Sequence, residues 1–219
     1  MAVDFKIYLI TDRKVSSTPL PEAVRLALEG GVRAVQLREK DLPIRELLAL
    51  AQELRAVTRA FGARLFINDR VDVAVAVGAD GVHLGGSSIP VSAARKVVGQ
   101  RMLIGASTHD LEEAKAAEAG GADFITFGPI FETPSKGKYG APVGVPIIRT
   151  VKNEVKIPLF ALGGIKSGNM LQVMSAGADG VAMISSILAA GDIRKAAAAF
   201  DKGLATIGKV ICTDYCAPR

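Results

Sequence analysis

A short turn motif recurs four times along the chain and constrains the fold more than any other feature of the sequence. Each copy ends a helical segment at glycine, makes a tight turn and starts an apolar run; the copies occupy residues 30–35, 78–82, 120–124 and 177–181. Glycine suits this position because the residue after a helix often adopts a left-handed conformation. The motif therefore predicts a chain built from repeated strand–helix units.

Hydrophobic periodicity extends this pattern to eight strand–helix units. The predicted strands cover residues 5–10, 34–37, 64–67, 81–84, 102–105, 124–127, 158–161 and 180–184. Eight such units predict a single (β/α)8 barrel of the α/β class, with residues 1–208 as the barrel and residues 209–219 as a tail. A doubly wound open sheet would show the same alternation, but the count of eight and the absence of an early GxGxxG motif favour the barrel.

The composition limits the classes of partner. Of the 219 residues 49% are hydrophobic and none is tryptophan, so the core must consist mainly of alanine, valine, isoleucine and leucine. The net charge of +5 comes from scattered lysines and arginines, without a stripe of interleaved aromatic and basic residues. This pattern suits small anionic molecules and argues against nucleic acid as a partner.

The ends of the chain bear on its location. Asp4 and Lys6 precede the first apolar run, which disfavours a signal peptide, and no apolar segment is long enough to span a bilayer. We therefore expect a cytoplasmic protein without a membrane partner. Cys212 and Cys216 could pair or bind a metal, but free thiols on a frayed tail suit a reducing cytosol better. The oligomeric state is left open, with a homo-oligomer among the options.

Polar residues follow nearly every predicted strand. In a barrel of this kind the chemistry lies at the face where the strands end, so these residues are expected to meet at one mouth. They are Thr11, Asp12, Arg13, Gln36, Arg38, Lys40, Asn68, Asp69, His83, Ser107, Thr108, His109, Thr133, Ser135, Lys136, Gly163, Gly164, Ser185 and Ser186. The two histidines have no partner at a metal-ligand spacing, and we assign neither as a base.

The segment after the second strand carries two cations. Gln36, Arg38 and Lys40 alternate with other residues, so strand periodicity places all three on one face. Cations on the inner side of a strand end favour an anionic ligand. The alternative is an internal ion pair with Glu39 or Asp41, and we favour the ligand.

Three further segments each allow two interpretations. Asp69 could bind Mg2+, which takes few protein carboxylates, but taken alone Asn68 and Asp69 favour a cap of the next helix. Glycines at 163–164 and serines at 185–186 end the last two strands, where barrel enzymes bind phosphate; a glycine turn and a serine cap are the alternative. The hydroxyls and lysines of the loop 128–144 suit phosphate, or they form a solvated surface loop.

Taken together, these residues resemble thiamine-phosphate synthase, a family of (β/α)8 enzymes. The resemblance covers almost the whole chain and is carried by YLITDR (8–13), QLREK (36–40), ND (68–69), GVHLG (81–85), GPIF (128–131), TPSK (133–136), GGI (163–165) and MIS (183–185). The family joins hydroxymethylpyrimidine diphosphate to thiazole phosphate and releases diphosphate. The resemblance thus implies a Mg2+-dependent transferase of thiamine biosynthesis with these small phosphorylated substrates as partners.

The resemblance also implies roles for individual residues. The pyrimidine diphosphate would be held by Gln36, Arg38, Glu39, Lys40, Asn68, Ser107 and Lys136. Thiazole phosphate would be held by Thr133, Ser135, Gly164, Ile184 and Ser185. Asp69 would ligate Mg2+, while Arg38, Lys40 and Lys136 would be the catalytic cations that neutralise the departing diphosphate. The implied mechanism is dissociative, so it requires no general base.

One segment departs from the family. After Leu84 and Gly85 the family has glutamine and two acidic residues, and the second acid completes the Mg2+ site; here Ser88 stands in its place. A neutral hydroxyl weakens such a site. Because Ser88 precedes Pro90, we expect it to act as the N-cap of the next helix.

The departing loop and residues 131–133 resemble those of a sister family, the thiazole tautomerases, which isomerise thiazole phosphate. That family has a catalytic histidine at the position of Pro129 and lacks equivalents of Lys40 and Asp69. The main hypothesis is therefore a thiamine-phosphate synthase. The alternatives are a thiazole phosphate tautomerase and a non-catalytic protein that binds thiazole phosphate.

Overall fold

The computed structural model describes residues 2–133 and 141–207, and the backbone of the last helix as far as Tyr215. Within these residues the strands are Ile7–Ile10 (β1), Ala34–Leu37 (β2), Arg64–Asn68 (β3), Gly81–Leu84 (β4), Leu103–Thr108 (β5), Phe124–Phe127 (β6), Leu159–Leu162 (β7) and Gly180–Met183 (β8). The helices are Leu20–Glu29 (α1), Ile44–Ala60 (α2), Val71–Ala76 (α3), Val91–Val98 (α4), Leu111–Ala119 (α5), Pro146–Glu154 (α6), Met170–Ser175 (α7), Ser185–Leu188 (α8) and Ile193–Tyr215 (α9). Among these described helices, none combines the length and the apolar character needed to cross a membrane.

The strands are parallel and close into a barrel in the order β1 to β8. Leu9 of β1 lies opposite Val35 of β2 on one side and opposite Met183 of β8 on the other. Closure leaves no strand with an unpaired edge. The predicted (β/α)8 barrel is confirmed, and the open sheet is wrong. Helix α9 continues past residue 208, and the division of the chain at that point stays a prediction.

Aromatic side chains fill the interior of the barrel. The ring of Tyr8 lies 5.3 Å from those of Phe66 and Phe124 and 6.1 Å from that of Phe160, measured between centroids. Phe5, which precedes β1, packs on the same rings and closes the amino-terminal end of the barrel. The interior is therefore a packed core rather than a pore, and a ligand can enter only at the other end.

The repeated turn motif has a structural role that periodicity did not reveal. Asp80, Asp123 and Asp179 occupy the same place in three copies, and each accepts a hydrogen bond of 2.7–2.8 Å from a backbone N–H of the preceding strand. Each also pairs with a cation of an earlier helix, namely Arg55, Arg95 and Lys152 respectively. These charge-assisted bonds hold the amino ends of the strands together. The glycines at 31, 78, 121 and 177 have φ between 60° and 105°, as the motif predicted.

Candidate active site

A cavity of about 450 Å3 lies at the carboxyl ends of the strands. Its lining comes from seven strands, the loops that follow them and the first turn of α5: Ile10, Asp12, Gln36, Arg38, Lys40, Asn68, Gly85, Gly86, Ser87, Ser107, His109, Glu113, Leu162 and Ile184. The structure thus brings together Gln36, Arg38, Lys40, Asn68 and Ser107, which the sequence placed at strand ends. Their roles toward a ligand stay predictions.

The carboxylates beside this segment are paired with cations outside the cavity lining. Glu39 accepts a hydrogen bond of 2.7 Å from the Thr11 hydroxyl and one of 3.0 Å from the Arg13 guanidinium. Asp41 pairs with Arg13 at 2.6 Å and with Lys14 at 2.7 Å. Hydrogen bonds from Arg13 and then Lys14 hold the pKa of Asp41 well below its ordinary value of 3.8, so this carboxyl stays ionised at neutral pH.

This pairing leaves Arg38 and Lys40 without a carboxylate partner in the part of the chain that the structure describes. The internal ion pair with Glu39 or Asp41, the alternative drawn from the sequence, does not form. The backbone N–H of Arg38 donates to Thr11 Oγ1 at 2.9 Å, which fixes the segment against β1. These two cations of the cavity wall are therefore available to an anionic ligand.

Glu39 itself is only 6% exposed and is not among the residues that line the cavity. Its carboxylate is engaged by Thr11 and Arg13, and Thr11 also accepts the hydrogen bond from Arg38. Glu39 thus fixes the segment after β2 to the end of β1, outside the cavity lining. Its predicted contact with substrate stays a prediction.

Asp69 occupies a tight corner between β3 and α3. Its φ of 62° is in the left-handed region, which aspartate tolerates better than most residues. The backbone N–H of Asp69 donates to the carbonyl of His83 at 2.9 Å. Its carboxylate accepts hydrogen bonds from the Asn68 amide at 2.8 Å and from the Ser88 hydroxyl, and Ser88 Oγ accepts from the backbone N–H of Gly85 at 2.7 Å.

Both helix-cap interpretations are wrong. Helix α3 begins after Arg70 and has no side-chain cap, although the sequence by itself favoured a cap by Asn68 or Asp69. Helix α4 begins after Pro90, also without a side-chain cap, although we expected Ser88 to cap it. The reason is that these side chains bond to one another across the β3–α3 and β4–α4 loops instead of to the helix amides.

The Asp69 corner fits a magnesium ion that relies on its substrate for most ligands. Mg2+ is usually bound through one or two carboxylates together with phosphate oxygens and water. Here the protein offers the carboxylate of Asp69 and the hydroxyl of Ser88, which are in contact. Among the described residues, no group of three or more histidine, cysteine, aspartate or glutamate side chains could hold a metal. A metal would therefore be held weakly unless a phosphorylated ligand completes its shell.

The glycines after β7 bring two loops close together. Gly164 has a φ of 62°, and a Cβ atom there would lie 2.5 Å from the carbonyl oxygen of Glu132. The carbonyl of Gly163 accepts a hydrogen bond of 3.1 Å from the N–H of Phe131. The loop after β6 therefore rests directly on the loop after β7. Thr133 follows Glu132 and is the last described residue of this loop, whereas Ser135 and Lys136 lie outside the described residues.

The serines after β8 contribute to a neighbouring cavity of about 380 Å3. Its lining consists of Lys166, Ser167, Ser185, Ser186, Ala196, Ala199 and Phe200. The Ser186 hydroxyl donates to the carbonyl of Ile165 at 2.5 Å, and neither serine caps α8 through its side chain. Ile184 lines the first cavity and Ser185 the second, so the end of β8 separates the two.

Sequence reasoning missed a pair at the edge of the first cavity. His109 and Glu113 both line it, and the His109 Nδ1 atom lies 2.9 Å from Glu113 Oε2. The sequence placed His109 at the mouth but not Glu113, which lies in the first turn of α5. The spacing of four positions across the start of this helix is the signal that could have found the pair.

A buried polar network, also missed, lies under the floor of the first cavity. Gln36 Nε2 donates to the Tyr8 hydroxyl at 3.2 Å, and that hydroxyl lies 3.3 Å from His83 Nδ1. His83 Nε2 lies 3.0 Å from Ser107 Oγ and 3.4 Å from Thr126 Oγ1. Burial raises the pKa of Tyr8 well above its ordinary value of 10.0, so the phenol keeps its proton.

Comparison with known proteins decides the family. The model of the family described as thiamine monophosphate synthase matches residues 7–187, a range that contains all eight strands of the barrel. The chain belongs to the thiamine monophosphate synthase family. The resemblance drawn from the sequence motifs is thereby confirmed.

Individual relatives within the thiamine monophosphate synthase family match over most of their length. A Geobacter sulfurreducens protein, provisionally named thiamine-phosphate synthase, is 56% identical over 198 residues, covering 90% of this chain and 93% of that protein. The thiamine-phosphate synthase of Moorella thermoacetica is 45% identical over 189 residues, which are 86% and 90% of the two chains. The solved structure of thiamine phosphate pyrophosphorylase from Pyrococcus furiosus superposes with a TM-score of 0.85 at 41% identity, covering 93% of this chain and 96% of that one.

The departure from the thiamine monophosphate synthase pattern at Ser88 has a definite location. Its hydroxyl donates to Asp69, so the residue that replaces the expected acid stands beside the expected metal ligand. A hydroxyl in place of a carboxylate makes the charge of the Asp69 corner less negative by one.

Proposed function

We propose that the chain is a thiamine-phosphate synthase, a transferase that joins hydroxymethylpyrimidine diphosphate to thiazole phosphate and releases diphosphate. The observation that carries the proposal is the charge arrangement at the cavity wall. Arg38 and Lys40 line the cavity, while the adjacent carboxylates of Glu39 and Asp41 are neutralised by Arg13 and Lys14. Within the described residues neither cation has a carboxylate partner, and a site with this excess of positive charge supports a polyanionic substrate.

In this proposal the diphosphate group lies against Arg38 and Lys40, and Asn68 donates an additional hydrogen bond from its amide. Ser107 and Gln36, at the cavity floor, bind the pyrimidine. As the bond between the pyrimidine methylene and the diphosphate oxygen breaks, negative charge builds up on the departing group. Fixed cations stabilise that charge more than they stabilise the bound substrate, which lowers the barrier.

Asp69 and Ser88 would hold the magnesium ion, which when bound supplies further positive charge to the diphosphate. The carboxylate of Asp69 is already oriented by the Asn68 amide and the Ser88 hydroxyl. This support holds a ligand oxygen in place before the metal arrives.

Thiazole phosphate is proposed to bind across the loops after β6, β7 and β8, near Thr133, Gly164, Ile184 and Ser185. The close contact of the first two loops supports this placement, because backbone N–H groups of a glycine segment can approach a phosphate. The thiazole nitrogen then attacks the pyrimidine cation. The roles of Ser135 and Lys136 rest on the family resemblance.

A synthase assay with both purified substrates and Mg2+ tests the proposal, with thiamine phosphate and diphosphate as the measured products. Lys40→Ala should lose about 100-fold or more in kcat/KM, because it removes a cation from the departing group. Lys14→Ala is the matched control, since Lys14 pairs with Asp41 and is not among the cavity-lining residues. Absence of product at high enzyme concentration, or equal losses in the two variants, would refute it.

The second candidate is a thiazole phosphate tautomerase, favoured by one observation, the neutral Ser88 beside Asp69. It predicts isomerisation of thiazole phosphate without the pyrimidine substrate. Asp69→Ala separates the two candidates, because it should abolish joining but leave isomerisation intact. Thermal stabilisation by thiazole phosphate without turnover of either kind would instead indicate a non-catalytic binding protein.

A cytoplasmic location stays a prediction.

A further inference from the structure

The polar network under the cavity floor connects two cavity-lining side chains through two that are buried inside the barrel. Gln36, which is only 1% exposed, and Ser107 line the cavity, whereas Tyr8 and His83, at 0% and 1% exposure, do not line it. Burying a phenol and an imidazole among aromatic rings is costly unless their polar atoms are bonded. Phenylalanine could provide the packing at both Tyr8 and His83. The polar atoms of these two side chains therefore need an explanation other than packing.

The donors and acceptors in the network determine which way each hydrogen bond points. The Gln36 amide nitrogen faces the Tyr8 oxygen at 3.2 Å and must donate to it. The Tyr8 hydroxyl hydrogen then has His83 Nδ1, 3.3 Å away, as its acceptor. If His83 Nδ1 carried a hydrogen instead, the buried Tyr8 hydroxyl would be left without an acceptor among the described residues, which is unfavourable.

The direction continues to the far side of the imidazole ring. With Nδ1 as an acceptor, the ring hydrogen of neutral His83 is on Nε2, which lies 3.0 Å from Ser107 Oγ. Ser107 Oγ accepts this hydrogen bond and lies 3.5 Å from the Thr126 hydroxyl as a second donor. The hydroxyl hydrogen of Ser107 is then left for a ligand in the cavity. At the other end of the network, Gln36 uses its amide nitrogen inside the barrel. Its Oε1 atom is then left for a ligand in the cavity that Gln36 lines.

We propose that Tyr8 and His83 are positioning residues that fix the hydrogen-bonding polarity of the cavity floor, with Gln36 Oε1 presented as an acceptor and Ser107 Oγ–H as a donor. The floor would then recognise a ring edge that carries an N–H donor beside a nitrogen acceptor. An aminopyrimidine has such an edge, so the inference deepens the proposed function, and only its kinetic consequences rest on that function.

The first test is spectroscopic and needs no substrate. The sequence contains two histidines, so nitrogen-15 NMR of the imidazole side chains gives two sets of signals, and His109→Asn assigns them. We expect His83 at neutral pH as the neutral tautomer with its hydrogen on Nε2. In Tyr8→Phe, which removes the donor to Nδ1 but retains the ring, the tautomers should become mixed. A hydrogen on Nδ1 in the unmodified protein, alone or together with one on Nε2, would overturn the proposal.

The second test is kinetic and separates positioning from packing. Tyr8→Phe should raise KM for the pyrimidine diphosphate about tenfold, the usual effect of losing one buried hydrogen bond, and leave KM for thiazole phosphate within about twofold. His83→Gln, which keeps an amide donor toward Ser107, should retain more activity than His83→Leu. Phe160→Leu is the matched control, because Phe160 packs on Tyr8 but takes no part in the polar network.

The outcomes of the two tests are distinguishable. If Phe160→Leu raises KM for the pyrimidine diphosphate as much as Tyr8→Phe does at a similar loss of melting temperature, the network is only structural and the positioning role is refuted. If the unmodified enzyme forms no thiamine phosphate, the proposed function fails, but the tautomer of His83 and its dependence on Tyr8 still decide the polarity.

Discussion

Replacing Ser88 with aspartate tests the proposed magnesium site at the Asp69 corner. In the structure the Ser88 hydroxyl contacts the Asp69 carboxylate, and Ser88 is partly buried. Two unit charges about 4 Å apart interact by about 4 kcal/mol at an effective dielectric constant of about 20. An aspartate at position 88 would place a second carboxylate at about this distance from Asp69 or from a cation bound beside it. A divalent cation between the two carboxylates gains from this interaction, whereas the metal-free site suffers the repulsion.

We expect a net gain of about 1.4–2.8 kcal/mol, which corresponds to Mg2+ binding that is about 10- to 100-fold tighter. Solvent at the partly exposed corner reduces the gross interaction to this range. The like charge should also raise the pKa of one carboxyl in the metal-free protein. A carboxyl whose folded pKa is raised destabilises the fold above that pKa, so the metal-free Ser88→Asp variant should be least stable at neutral pH and recover as the pH falls.

The assay is a calorimetric titration with Mg2+, with and without diphosphate, together with the melting temperature at each Mg2+ concentration. Ser88→Asn is the matched control, because it has nearly the same shape as aspartate without the charge. The reasoning is refuted if both variants are folded and bind Mg2+ with affinities that agree within about twofold.

Two further predictions concern the loops and the acid limit of stability. Gly164→Ala should destabilise the fold by about 1–3 kcal/mol and raise KM for thiazole phosphate, because Gly164 has a left-handed φ and a Cβ would meet the Glu132 carbonyl. The folded pKa of Asp41 lies below its ordinary value of 3.8, so its stabilising pairing is present above 3.8 and is lost as the pH falls through the folded value. Asp41→Asn should therefore show a smaller fall in melting temperature between neutral pH and acid than the unmodified protein.

Each of these predictions has its own control. Gly168→Ala should change the free energy of unfolding by no more than about 0.5 kcal/mol, since no atom lies within 4 Å of a Cβ built at Gly168. Equal destabilisation of the two glycine variants, measured by chemical denaturation, would contradict the steric argument. For Asp41, melting curves recorded at several pH values and at high salt are the measurement. An unchanged slope in the variant would show that its pairing with Arg13 and Lys14 does not contribute.

The clustering of Gln36, Arg38, Lys40, Asn68 and Ser107 could be predicted because all of them follow from one rule. Once the barrel is predicted, every strand end must lie on the same face. The pairing within that cluster could not be predicted in the same way. In the sequence, Glu39 and Asp41 lie next to Arg38 and Lys40 and could pair with them. They pair with Arg13 instead because β1 and β2 lie side by side.

The Asp69 corner shows a similar limit. A helix-capping pattern is local, so Asn68, Asp69 and Ser88 each looked like caps when taken in sequence order. In the folded chain the contact between Asp69 and Ser88, residues separated by 19 positions, provides a better partner than the helix amides. The same holds for Tyr8 and His83, which are 75 positions apart and gave no recognisable pattern.

By itself, the amino-acid sequence determined the number and order of the strand–helix units, the closed barrel that they form and the family to which the chain belongs. These follow from periodicity, glycine turns and short motifs, all of which are properties of neighbouring residues. Only the tertiary structure decided which carboxylate neutralises which cation, which residue supports Asp69 and which side chains orient the cavity floor. Those are contacts between residues far apart in the chain, and their energies depend on distances that exist only after the strands have closed.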